Sequence, residues 1–179
     1  MTSPADWQGF AETVGTSSGA LTGLLFVSVS LNASRIAGHQ GLRASAAQTL
    51  VLFLTPLIMS AMLLVPGQPN GVLGAEFIAA GLGASWVLVR TGQLKRGLAD
   101  DDQRLVRIFD HHSTNVVVML LFVASGIAIA AGADAGLYLL LPASLVAFIS
   151  GVLNAWHFLL PPQRRHRAEE PGEERADGT

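Results

Sequence analysis

Five long runs of apolar residues dominate the chain, and a short polar segment separates each run from the next. A membrane-spanning helix needs about 20 predominantly apolar residues to cross about 30 Å of hydrocarbon. We therefore predict an all-α fold, a polytopic membrane helix bundle of five transmembrane helices that forms one domain over residues 1–160. The predicted spans cover about residues 13–31, 44–65, 72–89, 116–133 and 137–160.

Turn-forming residues mark the ends of these spans. Clusters rich in Pro, Gly, Asn and Asp at 66–70 and 132–136 separate the second span from the third and the fourth from the fifth. Two prolines end the fifth span because proline lacks an amide donor, and residues 161–179 are predicted to be a disordered cytoplasmic tail. In the third loop, a helix-start pattern followed by apolar residues at helical spacing predicts an interfacial cytoplasmic helix over about 100–112.

The composition supports a membrane protein and argues against several other classes. Of the 179 residues, 50% are hydrophobic and 13% are charged, whereas soluble domains carry about 25% charged residues. The chain has no cysteine, and its net charge is −2. It therefore lacks the charged surface of a soluble enzyme, the thiols of a disulfide scaffold and the basic footprint of a nucleic-acid-binding protein.

The basic residues predict the orientation. All 11 Lys and Arg residues lie in the first loop, the third loop or the segment after the fifth span. Because basic loops stay on the cytoplasmic side of a membrane, we predict that the N-terminus lies outside and the C-terminus lies in the cytoplasm.

Small residues recur at every fourth position in three of the spans. Helices in lipid associate through close packing of small residues, since lipid offers no hydrophobic force between them. We therefore predict helix packing through these positions within one chain, and the alternative is a face that joins two copies. The residues assigned to this packing are Gly15, Gly19, Gly23, Ala79, Gly83, Ala147 and Gly151.

Two glutamates are the intramembrane functional candidates. Glu12 opens the first span, and Glu76 lies about five residues into the third. Each shares a helix face with small residues, so we expect both carboxylates to point into the bundle in the same leaflet. Such residues usually face a partner or water and mark proton or ion pathways. The alternative is that Glu12 is solvated at the interface and that Glu76 is hydrogen-bonded to a neighbour.

Polar residues also gather at the inner ends of the last two spans. His112 lies at the start of the fourth span, and Asn154 and His157 lie one turn apart near the end of the fifth. One interpretation is metal or haem ligation, and the other is polar packing between helices. Without cysteine or an HExxH motif, we predict packing, no metal and no cofactor.

No segment has the arrangement of a catalytic site. Residues 15–19 match G-x-S-x-G in letters, but a nucleophile elbow needs a strand before the serine and a helix after it. The match lies inside a predicted span. We predict that the protein has no catalytic residues and is not an enzyme.

Three parts of the chain carry a resemblance to a family. They are Trp7 to Gly15 with Leu21 to Asn32, then Leu63 to Gln68, and then Gly136 to Tyr138 with Val152 to Trp156. Up to Leu160 the sequence resembles small, uncharacterised polytopic integral membrane proteins of high-GC Gram-positive bacteria. Some members carry an automatic label as modulators of a membrane-bound AAA protease. The resemblance implies a multi-pass protein of the bacterial plasma membrane, and it implies no site residues.

These observations lead to two functional expectations. The first is a non-enzymatic accessory or regulatory subunit that packs against another membrane protein. The second is a small homo-oligomeric channel or transporter for protons or cations that uses Glu76 and Glu12. In either case the partners are the lipid bilayer and another membrane protein or further copies of the chain, and no nucleic acid is expected.

Overall fold

The computed structural model describes residues 4–96 and 111–159. Every regular element within these ranges is helical, as the all-α prediction requires. A short 3-10 turn at Pro4–Trp7 precedes the first helix. The α-helices are α1 (Gln8–Leu31), α2 (Ala33–Ala37), α3 (Gln40–Leu63), α4 (Asn70–Arg96), α5 (His111–Ala130), α6 (Ala135–Tyr138) and α7 (Leu140–Leu159).

Four helical stretches in the described residues are long and apolar enough to cross a membrane. They are Gln8–Leu31, Gln40–Leu63, Asn70–Thr91 and Ala135–Trp156. The apolar part of α5, Val116–Ala130, is shorter than these four. Helix α5 ends before the predicted residue 133 because the chain turns at Gly132, whose φ is 73°. The count of five spans stays a prediction, as does the orientation.

Other predicted boundaries differ in detail from the structure. The predicted fifth span is divided, since Leu139 separates α6 from α7. Pro142 explains the break, because it has no amide hydrogen to donate to the carbonyl of Tyr138. The predicted tail at 161–179 lies outside the described residues. The predicted surface helix at 100–112 also lies outside them, except for its last two residues, which belong to α5.

Helix α3 makes more contacts with the other long helices than any other helix among the described residues does. It packs against α1, α4 and α7, and α5 packs against α4 and α7. Helices α3, α4, α5 and α7 therefore form a closed ring, and α1 lies outside it against α3. Only 17% of the apolar window of α1 is buried, compared with 50% of that of α3.

Large side chains fill the ring, and a smaller cluster lies at one end. The most buried are Phe77, Phe122, Leu52, Leu73 and Val118. We call the end at which α1 and α4 finish and α3 starts the inner end, and the opposite end the outer end. Near the inner end, a second cluster joins Leu25, Ile36, Ala46 and Phe53.

Aromatic rings tie the start of the chain to α6 at the outer end. The ring of Trp7 meets that of Phe10 at 5.4 Å and that of Tyr138 at 5.0 Å, both nearly perpendicular. Edge-to-face pairs of this kind contribute about 0.5–1.5 kcal/mol each beyond the area that they bury.

Glycine allows α4 and α5 to touch through their backbones. A Cβ atom at Gly74 would lie 2.5 Å from the carbonyl oxygen of Gly126, and one at Gly126 would lie 2.8 Å from that of Gly74. This contact was not among the predicted packing positions. Helices approach most closely where neither contributes a side chain, and here the two glycines face each other.

The predicted small-residue positions divide into two groups. A Cβ atom added at Gly15 would lie 3.3 Å from that of Ser60, and one added at Gly19 would lie 4.0 Å from Leu57. Ala147 is fully buried, and a Cβ atom added at Gly151 would overlap the ring of Phe53. The remaining three behave differently. Gly23, Ala79 and Gly83 are exposed, and nothing lies within 4 Å of a Cβ added at either glycine.

The expectation of packing within the chain is therefore wrong for Gly23, Ala79 and Gly83. Helix α4 turns toward α5 through Gly74 and Gly81, and this rotation directs Ala79 and Gly83 outward. Whether these three residues meet a second copy stays a prediction.

Candidate functional site

Glu76 lies near the outer end of α4 and is half-buried. The side-chain nitrogen of Gln68 donates a hydrogen bond of 2.7 Å to its carboxylate oxygen Oε2. Gln68 belongs to the connection between α3 and α4. Gly67 turns this connection with a φ of 69°, which favours glycine, and the turn brings Gln68 against the side of α4.

The other end of the Gln68 amide lacks a donor. Its Oε1 atom is buried and has no hydrogen-bond partner in the structure. A buried acceptor without a partner costs about 1–3 kcal/mol. Gln68 and Glu76 therefore form a hydrogen-bonded pair with one buried acceptor, Oε1 of Gln68, that has no donor.

Glu12 is not part of this pair. It is exposed, and its Oε1 atom accepts a hydrogen bond of 3.0 Å from the side-chain nitrogen of Gln8, one turn earlier in α1. The expectation that Glu12 points into the bundle is wrong, because α1 buries its Ala11 and Val14 face instead. The two glutamates also have different neighbours, since α1 packs mainly on α3 while α4 packs on α3 and α5.

Asn154 forms a buried polar contact between α7 and α3. Its side-chain nitrogen donates to the hydroxyl of Thr49 at 2.6 Å and to the carbonyl of Ser45 at 2.9 Å. The Thr49 hydroxyl donates to the same carbonyl at 3.0 Å. Gln48 and Ser150 are also buried on these helices. Asn154 therefore takes part in polar packing between helices, as predicted. Its partner Thr49 was not among the predicted residues.

The two histidine candidates belong to α5 and α7. The side chains of His112 and His157 lie outside the described part of the structure. Among the side chains that the structure describes, no group of three His, Asp or Glu residues could hold a metal ion.

The hydroxyls of α1 differ in their hydrogen bonds. Thr13 and Thr22 donate to carbonyls of their own helix, at Gly9 and Ser18. The hydroxyl of buried Ser18 crosses to α3 and donates to the carbonyl of Phe53, three residues before Pro56. Thr16 and Ser17 are exposed, and neither hydroxyl has a hydrogen bond to a residue that the structure describes.

Comparison with known proteins adds no relative. The chain matches no family model, no curated protein and no solved structure. Its function therefore has to be argued from the geometry of its own residues.

Proposed function

We propose that the chain is an integral membrane protein whose α5 also spans the bilayer, with five spans and the N-terminus outside. The four long apolar helices support membrane insertion. The large apolar side chains on the outside of the helices support it too, since water would not solvate such a surface. Among the most exposed are Leu31, Phe26, Leu24, Leu120 and Trp156. The basic residues of the first and third loops support the orientation.

Single-cysteine variants test the topology cleanly, because the natural chain has no cysteine. Pro69→Cys and Ala133→Cys place an exposed thiol in the second and fourth loops, and Ser34→Cys and Ala37→Cys place one at the inner end. We expect a membrane-impermeant maleimide to label the first two in intact cells and the other two only after permeabilisation. Labelling of Ala133→Cys from the inside alone would refute a spanning α5.

We propose further that this protein is a non-enzymatic accessory or regulatory subunit that packs against another membrane protein through α1. The observation that carries this proposal is the exposed pair Thr16 and Ser17 in the middle of a helix that is mostly uncovered. A hydroxyl in hydrocarbon bonds to a carbonyl of its own helix or to a neighbouring helix. The hydroxyls of Thr16 and Ser17 have no bond within their own helix, and a bond to a neighbouring helix contributes about 0.6–2 kcal/mol. Ala20 continues the same exposed face as a small residue, which permits close approach of a partner helix.

The resemblance found in the sequence agrees with this proposal. Some members of the similar family are labelled as modulators of a membrane-bound AAA protease, and a modulator of that kind is an accessory protein. The label belongs to those proteins, so the partner of this chain has to be identified by experiment.

A photoreactive amino acid placed on α1 tests the accessory role. We expect the probe at Thr16 or Ala20 to form one adduct of fixed mass with a different membrane protein. The matched control is Ile149, an exposed apolar residue of α7, which should give lipid adducts alone. Thr16→Leu with Ser17→Leu should abolish the protein adduct when the probe is at Ala20. Lipid adducts alone from every position would refute the proposal.

The second candidate function is a homo-oligomeric channel or transporter for protons or cations. The half-buried Glu76 beside the unpartnered Oε1 of Gln68 favours it. In proteoliposomes, Glu76→Gln should abolish flux, and Glu12→Gln should leave it unchanged because Glu12 is exposed. Absence of flux through the natural protein would reject this candidate, and a self-adduct in the crosslinking experiment would favour it over the accessory role.

A further inference from the structure

An apolar groove of about 240 Å³ lies between α1 and α7 in the inner half of the bundle. Leu21, Leu24 and Leu25 line it on α1, and Phe53 and Trp156 line it from α3 and α7. The residues that line the groove carry one hydroxyl, that of Ser28, toward the inner end. This hydroxyl donates no hydrogen bond to any residue that the structure describes.

The inner end of the groove is basic. Ile36 of α2 packs in the same cluster as Leu25 and Phe53. Arg35, the residue before it, is at this end of the groove but is not among the residues that line it. Leu42 packs against that cluster as well, which places Arg43 at the same end. Neither guanidinium has a hydrogen bond or an ion pair with the described residues. The sequence has no Asp or Glu between Thr13 and Ala75, so this segment supplies no acidic side chain to neutralise them.

The lining of the groove and the charges near it indicate its occupant. The lining is apolar except for Ser28. The only charged residues of the sequence between Thr13 and Ala75 are Arg35 and Arg43. An acyl chain is narrow enough to enter the groove, and the apolar lining matches the chemistry of such a chain.

We propose that this groove binds one anionic phospholipid, with an acyl chain against the leucines of α1 and the phosphate at Arg35 and Arg43. The Ser28 hydroxyl lies between the two and meets the ester oxygens of the glycerol. The acyl chain, the glycerol esters and the phosphate of the lipid thus match the apolar lining, the Ser28 hydroxyl and the two arginines of the protein, in that order. The site rests on the proposed membrane insertion, and it faces the cytoplasmic leaflet, in which anionic lipids are concentrated.

Trp156 is the reporter for this site, since it lines the groove and is 60% exposed. Replacing Trp7 and Trp86 by Phe leaves it as the single tryptophan of the chain. The full chain is reconstituted in phosphatidylcholine vesicles, and two titrations are compared. One adds rising fractions of phosphatidylglycerol with brominated acyl chains, and the other adds phosphatidylcholine with brominated acyl chains. Bromine quenches tryptophan fluorescence on contact, so the quenching curve gives the relative association of each lipid with the groove.

We expect the anionic lipid to associate more tightly than the zwitterionic lipid, by about fivefold for each arginine at low salt. The double variant Arg35→Gln with Arg43→Gln should remove the preference. The matched control is Arg90→Gln, which removes an exposed inner-end charge on α4, where the guanidinium lies over Trp86 in the natural chain. Ala155→Phe, at another lining position, should reduce quenching by both lipids.

Three results would overturn the proposal, and each has a different meaning. Equal quenching by both lipids would show that the groove does not select charge. An equal loss of preference in Arg90→Gln would assign it to the general surface charge. Vesicles that carry the protein while neither lipid quenches Trp156 would show that protein covers the groove. Failure of the protein to float with the vesicles would instead contradict the membrane insertion.

Discussion

The crossing of α4 and α5 at Gly74 and Gly126 gives the sharpest prediction about the fold. In Gly74→Ala, the added Cβ would lie 2.5 Å from the Gly126 carbonyl oxygen, 2.6 Å from the Ala130 amide nitrogen and 2.7 Å from the Ala130 Cβ. None of these atoms belongs to the free end of a flexible side chain. The two helices must therefore separate, by roughly 1 Å if ordinary contact distances are to be restored.

The change that Gly74→Ala makes in the free energy of unfolding is the sum of a steric cost and a gain in helix propensity. A gap of 0.5–1 Å loses about a quarter to a half of the dispersion energy of each contact across the interface, and overpacking of this kind costs about 1–3 kcal/mol. Alanine in place of glycine within a helix returns about 0.5–1 kcal/mol. We expect a net loss of about 1–2 kcal/mol in the free energy of unfolding.

Gly83→Ala is the matched control on the same helix. Nothing lies within 4 Å of a Cβ at Gly83, so this variant keeps the gain in helix propensity without the steric cost. The free energy of unfolding of each purified variant is measured by unfolding it with a rising mole fraction of dodecyl sulphate in mild detergent. If the two substitutions change stability in the same direction and by the same amount, the close approach of α4 and α5 is refuted.

Three further predictions concern polar contacts inside the bundle, and the same unfolding assay measures each of them. Asn154→Leu should cost about 1 kcal/mol, since it removes the bonds to Thr49 and Ser45, and the control Val152→Leu at an exposed position of α7 should change little. Ser18→Ala should cost about 1 kcal/mol because it removes the hydrogen bond from α1 to the Phe53 carbonyl, whereas Ser17→Ala should not lower the stability of the isolated protein. Glu76→Gln should be at least as stable as the natural chain, because the new amide supplies a donor to the Oε1 atom of Gln68. A decrease of more than about 1 kcal/mol in the free energy of unfolding would contradict the pairing of Gln68 with Glu76.

The helices were predictable, whereas the directions in which they face were not. Long apolar runs bounded by Pro and Gly clusters predict helices in any apolar surrounding. The inward face of a soluble helix shows in its sequence because water selects polar residues on the other side. Helix α4 lacks that contrast, since buried Phe77 and exposed Leu82 are both apolar. Every small residue in such a helix is a reasonable packing candidate, and the choice of Gly74 over Ala79 and Gly83 depends on α5.

The candidate site was predictable only in part for a similar reason. The depth of Glu76 within an apolar run indicates its importance, because charges are rare there. Its partner Gln68 lies in a connection eight residues earlier, and no helical periodicity relates a loop residue to a helix. The turn at Gly67 decides where the amide lies. The proposed lipid site was not predicted either. In the sequence Arg35 only marks the orientation, and it comes near Leu25 and Phe53 only when α2 folds onto α3.

The seven hydroxyls of the predicted first span show why function depends on so few residues of α1. In the sequence they are alike: Thr13, Thr16, Ser17, Ser18, Thr22, Ser28 and Ser30. In the structure, two bond to their own helix, one crosses to α3, one belongs to a residue that lines the groove, and Ser30 is exposed one residue from the end of α1. A hydroxyl that is already bonded gives a partner helix little to gain, since a new contact would replace an existing one. Thr16 and Ser17 differ, because they lie near the middle of a mostly uncovered helix with their hydrogen-bonding capacity unused. An approaching membrane protein would gain most at that face.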